Sequence, residues 1–223
     1  MPTHMPRQPE PEYMDGIEEA EAYAESDFSE VNQAFVRRLF ELVPDERDLV
    51  ALDLGTGPGD IPIRVTLARP LWHVVAVDAS EAMLRIARAA ADRAGVAKNI
   101  EWALVDAKHT GLAPHRFDVI LSNCILHHVN DVASFWGELK RVARPGAAVL
   151  LRDLYRPATA ETARKIVETY GVVGPKRMQD DYYRSLLAAY TPEEVRAQLA
   201  GAQLATLKVE KITDRHMDIF GRV

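Results

Sequence analysis

The chain has a single cysteine, Cys124, in 223 residues. No disulfide can form within one such chain, and a reducing cytoplasm is its expected location. It also has no long apolar run: nothing approaches the roughly 20 residues a membrane-spanning helix needs. The opening "MPTHMPRQPEPEYMD" carries prolines and acids where a signal peptide would have an apolar core. No membrane partner is expected. An excess of positive charge is missing as well, with 27 Lys and Arg against 33 Asp and Glu and a net charge of −6. A nucleic-acid binder normally shows a basic stripe, so no nucleic-acid partner is expected. "KVEKITDRH" (208–216) is only locally basic and reads as a solvated strand face. What remains is an ordinary soluble composition, long enough to bury one large core.

Residues 1–15, with prolines at 2, 6, 9 and 11, read as a flexible leader, and 16–223 as one domain. Helical text begins near Gly16, with "IEEAEAYAESD" followed by "SEVNQAFVRRLFELV". Ser29 is the candidate cap of the second helix, and Val31, Phe35, Leu39 and Leu42 form its apolar face. The rhythm then alternates. Strands are expected at 49–54, 72–78, 100–106, 117–123 and 147–154, and helices at 60–69, 80–95 and 131–144, the last stopped by Pro145–Gly146. Such alternation predicts an α/β fold: a doubly wound, Rossmann-like, mostly parallel seven-stranded sheet with helices on both faces. The core spans 49–155. A helical lid and closing strands fill 156–223: a helix with Pro157 in its first turn, another over 180–190, and one opened by a Thr191-Pro192-Glu194 capping box.

In a doubly wound sheet, ligands sit beyond the carboxyl ends of the strands. The residues there are Asp53, Asp78, Asp106, Asn123 and Asp153, four of them acids. After the first strand comes "GTGPGD" (55–60), a glycine turn that invites comparison with a dinucleotide site. Its spacing is G-x-G-x-G rather than G-x-G-x-x-G, since Asp60 stands where the last glycine belongs. Asp53 and Asp60 also make the field less favourable to a pyrophosphate, which docks on bare N–H groups and a helix N-terminus. A cationic ligand suits this loop better.

With those residues in view, the chain resembles the class I S-adenosylmethionine (SAM)-dependent methyltransferases of small-molecule type, in particular the UbiE-like, methyltransferase-11 group. "LDLGTGPG", "VVAVDASEAML", "LVDA", "FDVILSNCILHHV" and "LKRVARPGA" match the family's elements in order over roughly 49–153. The resemblance implies SAM as cofactor and S-adenosylhomocysteine as product. It implies that Asp53 sets up the methionine ammonium site, while Gly55, Thr56 and Gly57 let the backbone approach the methionine portion. Asp78 would take the ribose hydroxyls, with Ala79 and Met83 along the adenine. Asp106 would bond the adenine amino group beside Ala107, and Asn123 would lie near the transferring methyl.

The expected reaction is methyl transfer to a small molecule, at oxygen or nitrogen before carbon. His127 and His128 are the candidate bases, since imidazole titrates in the right range. Tyr23, Arg152, Tyr155, Tyr182 and Tyr183 are the candidate substrate contacts, with Tyr13 and Phe28 also in the N-terminal segment that could fold over the cofactor. Cys124 and His127 would need two more convergent ligands to close a metal site, so no metal is expected. One cysteine does not supply the several thiolates of the family's arsenite methyltransferases. "SNCI" replaces the Asn/Asp-Pro-Pro-aromatic motif of its base-amino members. Two other readings stay open: a non-catalytic SAM-binding scaffold, and a nicotinamide-dependent oxidoreductase on the same fold.

Overall fold

The computed structural model describes residues 5–10, 16–24, 28–44, 47–171 and 176–223. The expected alternation is present. In chain order come α1 (Ile17–Ala24), α2 (Ser29–Leu42), β1 (Val50–Leu54), α3 (Asp60–Ala68), β2 (His73–Asp78), α4 (Glu81–Ala94), β3 (Ile100–Leu104), β4 (Phe117–Asn123), α5 (Val132–Val142), β5 (Ala143–Leu154), α6 (Ala160–Tyr170), α7 (Lys176–Ala188), α8 (Pro192–Gly201), β6 (Lys208–Lys211) and β7 (His216–Arg222). The seven strands form one sheet in the order β3-β2-β1-β4-β5-β7-β6. Pairings are parallel from β3 to β5, and β7 runs antiparallel to β5 and β6.

The sheet is parallel because its central strands are apolar on both faces. Leu52, Leu54, Val75 and Ile120 bury against Phe135, Trp136 and Leu139 of α5. Ala51, Val74, Val119 and Leu121, one residue out of phase, bury against Phe35 and Leu39 of α2 and Ile61 and Val65 of α3. Chain order reverses between β2-β1 and β4-β5, which opens a crevice at the carboxyl ends of β1 and β4. At α4 and α8, local signals set the helix ends where they were expected to. Ser80 caps α4 and Gly95 ends it in the left-handed conformation, and Thr191 and Glu194 form the capping box of α8.

Several expectations need correction. Ser29 does not cap α2; Phe28 holds that position with no side-chain bond. The buried face of α2 is Asn32, Phe35, Val36 and Leu39, while Val31 is exposed. The rotation has a polar cause: Asn32 Nδ2 donates to Asp60 at 2.8 Å and Asn32 Oδ1 accepts from Asn123 at 3.1 Å. Pro145–Gly146 does not separate α5 from β5, for the strand begins at Ala143 and its register with β4 shifts across the irregularity. Pro157 precedes α6, which Thr159 caps.

The leader is corrected for residues 5–10, which dock on the C-terminal end of α7 and the loop after β4. Arg7 bonds the carbonyls of Ala188 (2.5 Å) and His127 (2.9 Å) and covers the Tyr190 ring. Gln8 N donates to Leu187 O, Arg156 Nε to Met5 O, and Ser185 Oγ to Glu10. Residues 1–4, 11–15 (with Tyr13) and the helix junction at 25–27 lie outside the described residues.

Arg152 and Asp218 face each other across the β5–β7 register and pair through two bonds of 2.7 and 2.9 Å. The Asp218 carboxylate is fully buried. Removing one partner leaves the other charge buried and uncompensated, at a cost of about 3–5 kcal/mol. Asp218→Asn should therefore lower the unfolding free energy by several kcal/mol in urea titration, and a loss of well under ~1 kcal/mol would show that the pair is unimportant to stability.

Candidate active site

The crevice is built from carboxylates that the parallel sheet delivers to one rim. Asp53 is the penultimate residue of β1 and is 1% exposed. Its Oδ2 accepts from Thr56 Oγ1 at 2.6 Å. Burial pushes the Asp53 pKa up to about 7; the Thr56 bond opposes this and the nearby Asp78 charge adds to it. The glycine turn leans over toward β2, where Gly55 N and Thr56 N both donate to Val77 O at 2.9 Å. Gly57 N donates to Asp78 Oδ2 at 2.7 Å and Ser80 N to Asp78 Oδ1 at 2.9 Å. Burial raises the Asp78 pKa, against these backbone bonds.

Two of the glycines are required for different reasons. Gly57, at φ +55°, has open space where a Cβ would stand, so ligand can approach its backbone. At Gly59, φ +84°, a Cβ would meet the Ala87 side chain at 2.8 Å. That glycine lets α3 start tightly against α4. An open backbone cradle flanked by two desolvated carboxylates fits a ligand with ribose hydroxyls and a positive charge, which is the chemistry of SAM.

The remaining cofactor candidates are placed as follows. Ala79 is half-buried beside Asp78, and Met83 is buried in the first turn of α4. Asp106 stands just past β3, its Oδ1 bonded to Lys108 N and its Oδ2 2.9 Å from Lys108 Nζ. Ala107 is buried next to it. Asn123 ends β4 and links to α2 through Asn32, so that an N-terminal helix seals this end of the crevice. Arg64 closes the same network on Asp60 at 2.6 Å.

Cys124 follows at φ +60°, a left-handed conformation unusual for a residue with a side chain. Its N–H donates to Arg152 O, which fixes the loop after β4 across the end of β5. Tyr23, on α1, brings its hydroxyl into electrostatic reach of Cys124, Asp78 and Asp153, and burial raises its pKa. Helix α1 is held over the rim by Glu21–Arg85 at 3.5 Å and by the Tyr23–Phe28 ring contact at 5.1 Å. Tyr182, on α7, is also raised by burial and lies in reach of Arg215, Cys124, Asp214 and Tyr170. Two tyrosines 159 positions apart thus share electrostatic reach of the same cysteine.

Other expectations change. His127 is not open to an acceptor. Its Nδ1 lies 2.6 Å from Asp153 Oδ1, and its Nε2 lies 3.7 Å from Glu10. Burial alone would lower its pKa, but Asp153 and Glu10 outweigh burial and raise it. His128 also turns Nδ1 to Glu10, at 3.2 Å. Arg152 is occupied by Asp218 and is a structural residue rather than a substrate contact. Tyr155 donates to the carbonyl of Asp214 at 2.7 Å. Tyr183 packs with α6 and α7 near Arg164.

Sequence reasoning passed over Glu10, Asn32 and the turn between β6 and β7. Asp153, noticed only as a strand-end acid, holds the post-β4 loop: Oδ2 accepts from Leu126 N at 2.6 Å while Oδ1 takes His127. "DRHMDIFG", first read in part as a solvated strand face, brings Asp214 and Arg215 to the crevice. Arg215 covers the Tyr170 ring at 3.3 Å, and Tyr170 donates to Asp214 at 2.9 Å. Burial, then the Arg215 and Arg152 charges, lower the His216 pKa to about 4. No local signal marks this turn, because only strand pairing carries it to the rim.

Residues 45–189 match the model of a family described as a methyltransferase domain. Among curated proteins, the chain is 35% identical over 111 residues to a demethylmenaquinone methyltransferase of Roseiflexus sp. (strain RS-1), covering 48% of this chain and 43% of that protein. It is 31% identical over 107 residues to a ubiquinone/menaquinone biosynthesis C-methyltransferase UbiE of Desulfotalea psychrophila, covering 48% and 42%. The chain thus spans less than half the length of either relative. A solved SAM-dependent methyltransferase from Aquifex aeolicus shares the fold at TM-score 0.70 and 19% identity, over 94% of this chain and 100% of that one. With SAM as the cofactor, Asp78→Ala should weaken SAM binding by about 1.5–3 kcal/mol, roughly ten- to a hundredfold in Kd by calorimetry, through lost charge-assisted bonds. An unchanged Kd would remove Asp78 from the cofactor site. A family match spanning well over half the chain, laid on a seven-stranded sheet of this order, makes the assignment: the chain belongs to the class I SAM-dependent methyltransferases.

Proposed function

We propose that the chain methylates a small planar aromatic acceptor carrying ring hydroxyls, held between the end of β4 and the tyrosines Tyr23 and Tyr182. The observation that carries this reading is that Tyr23 of α1 and Tyr182 of α7 both lie within electrostatic reach of Cys124, just past β4. Aromatic walls with polar tips suit a flat ring with hydroxyl substituents. Asp53, Asp78 and the Gly57 cradle would orient the cofactor so that its methyl lies toward Asn123.

The named activities of the relatives shift the expected acceptor atom from oxygen or nitrogen to carbon. In such a transfer the ring carbon of a hydroquinol forms the new bond to methyl as the sulfonium–methyl bond breaks, and the ring carbon then loses its proton. The neutral thioether of S-adenosylhomocysteine leaves readily, so placement of the acceptor accounts for most of the catalysis. The histidines are not assigned as bases, since both turn their ring nitrogens to carboxylates.

A panel of reduced naphthoquinols with an unsubstituted ring carbon, and of phenols and amines, should be incubated with SAM and followed by S-adenosylhomocysteine release. Expected are a methyl on ring carbon by NMR and at least a tenfold drop in kcat/KM for Tyr182→Ala. Turnover confined to phenols or amines would restore oxygen or nitrogen as acceptor. Binding of SAM without turnover on any of them would favour a scaffold.

A further inference from the structure

The docked N-terminal segment and the loop after β4 meet at a cluster that the proposed transfer does not use. One ligand atom from each of Glu10, His127 and His128 lies within 4.8 Å of the other two. Glu10 Oε1 is 3.7 Å from His127 Nε2 and 3.2 Å from His128 Nδ1. Donors around a tetrahedral ion, with bonds of about 2.0–2.2 Å, stand roughly 3.3–3.5 Å apart. The two separations straddle that spacing. The side chains are withdrawn from solvent, at 12% for Glu10, 5% for His127 and 19% for His128.

The groups behind these donors are placed as a metal site requires. Asp153 Oδ1 sits 2.6 Å from His127 Nδ1. That contact puts the ring proton on Nδ1 and turns the Nε2 lone pair toward Glu10, the arrangement by which carboxylates orient metal-binding histidines. Ser185 Oγ donates to Glu10 Oε1 at 3.0 Å and steadies the third donor. Two imidazoles and one carboxylate suit a borderline ion such as zinc rather than magnesium or calcium, which favour oxygen ligands throughout. Three protein ligands leave a fourth position for water.

We propose that Glu10, His127 and His128 bind one divalent transition-metal ion, zinc by preference, which ties the N-terminal segment to the loop after β4. The sequence had suggested no metal, and the pair it weighed was Cys124 with His127; Cys124 is absent from the cluster. Glu10 escaped notice because 117 positions separate it from His127 and only the docking of residues 5–10 joins them.

The test uses the full chain without a histidine tag, stripped by chelator and titrated with Zn2+ against a chromophoric competitor. One equivalent should bind with micromolar or tighter affinity. Glu10→Gln and His128→Gln should each weaken it by roughly a hundredfold. Asp153→Asn, acting through His127, should weaken it roughly ten- to a hundredfold. Cys124→Ser should leave it unchanged, and Co2+ should give ligand-field bands without a sulfur-to-cobalt charge-transfer band. Circular dichroism checks that each variant is folded, and retained SAM binding by Glu10→Gln and His128→Gln keeps this outcome separate from the acceptor question. Absence of saturable Zn2+ uptake, or uptake indifferent to both Glu10→Gln and His128→Gln, would overturn the site and leave the cluster an ion pair.

Discussion

A parallel sheet ends its strands on one side, and in this protein that side gathers acids. Asp53, Asp78, Asp106 and Asp153 stand at or just beyond strand ends, around the crevice that the reversal at β1 and β4 opens. Burial makes Asp53 and Asp78 harder to ionise, and the structure around the rim supplies hydrogen-bond donors to its acids. Thr56 donates to Asp53, the backbone of Gly57 and Ser80 to Asp78, and Leu126 and His127 to Asp153. These bonds shape the glycine turn and the loop after β4, and thereby the walls of the site. A positively charged cofactor completes the same compensation.

The segment before β1 acts on this rim rather than on the sheet core alone. Asn32 of α2 joins Asn123 to Asp60, α1 brings Tyr23 into electrostatic reach of Cys124, and residues 5–10 cross the end of α7 to reach the histidines. Each contact joins residues far apart in sequence. Closing such long loops is entropically unfavourable, and Arg7 offsets it with several bonds to carbonyls and a ring contact to Tyr190.

The sheet and its helices were legible because periodicity and caps are local: alternating apolar runs, Ser80 and Gly95 around α4, Thr191 and Glu194 at α8. The glycine turn and the strand-end acids were legible for the same reason, and their charge pointed away from a dinucleotide. The errors arose where a distant partner decides. Val31 lost its place in the core because Asn32 had bonds to make, and Arg152 was taken from the substrate by Asp218 of a strand 66 residues later. His127 looked like a base until Asp153 and Glu10 enclosed it. The β6–β7 turn had no signal of its own.

The desolvated acids beside the glycine turn, Asp53 above all, are poised for a cation. With its pKa pushed up to about 7, Asp53 is substantially protonated in the free protein just below neutrality. An ammonium group beside it would favour the carboxylate, so binding should expel a proton, and affinity should weaken as pH falls through about 7. Calorimetry of SAM binding at a pH of about 6.5, in two buffers of different ionisation enthalpy, measures that proton directly. The expected result is a buffer-dependent heat corresponding to a substantial fraction of one proton released, abolished in Asp53→Asn. Identical heats in the two buffers, or release undiminished in Asp53→Asn, would contradict it.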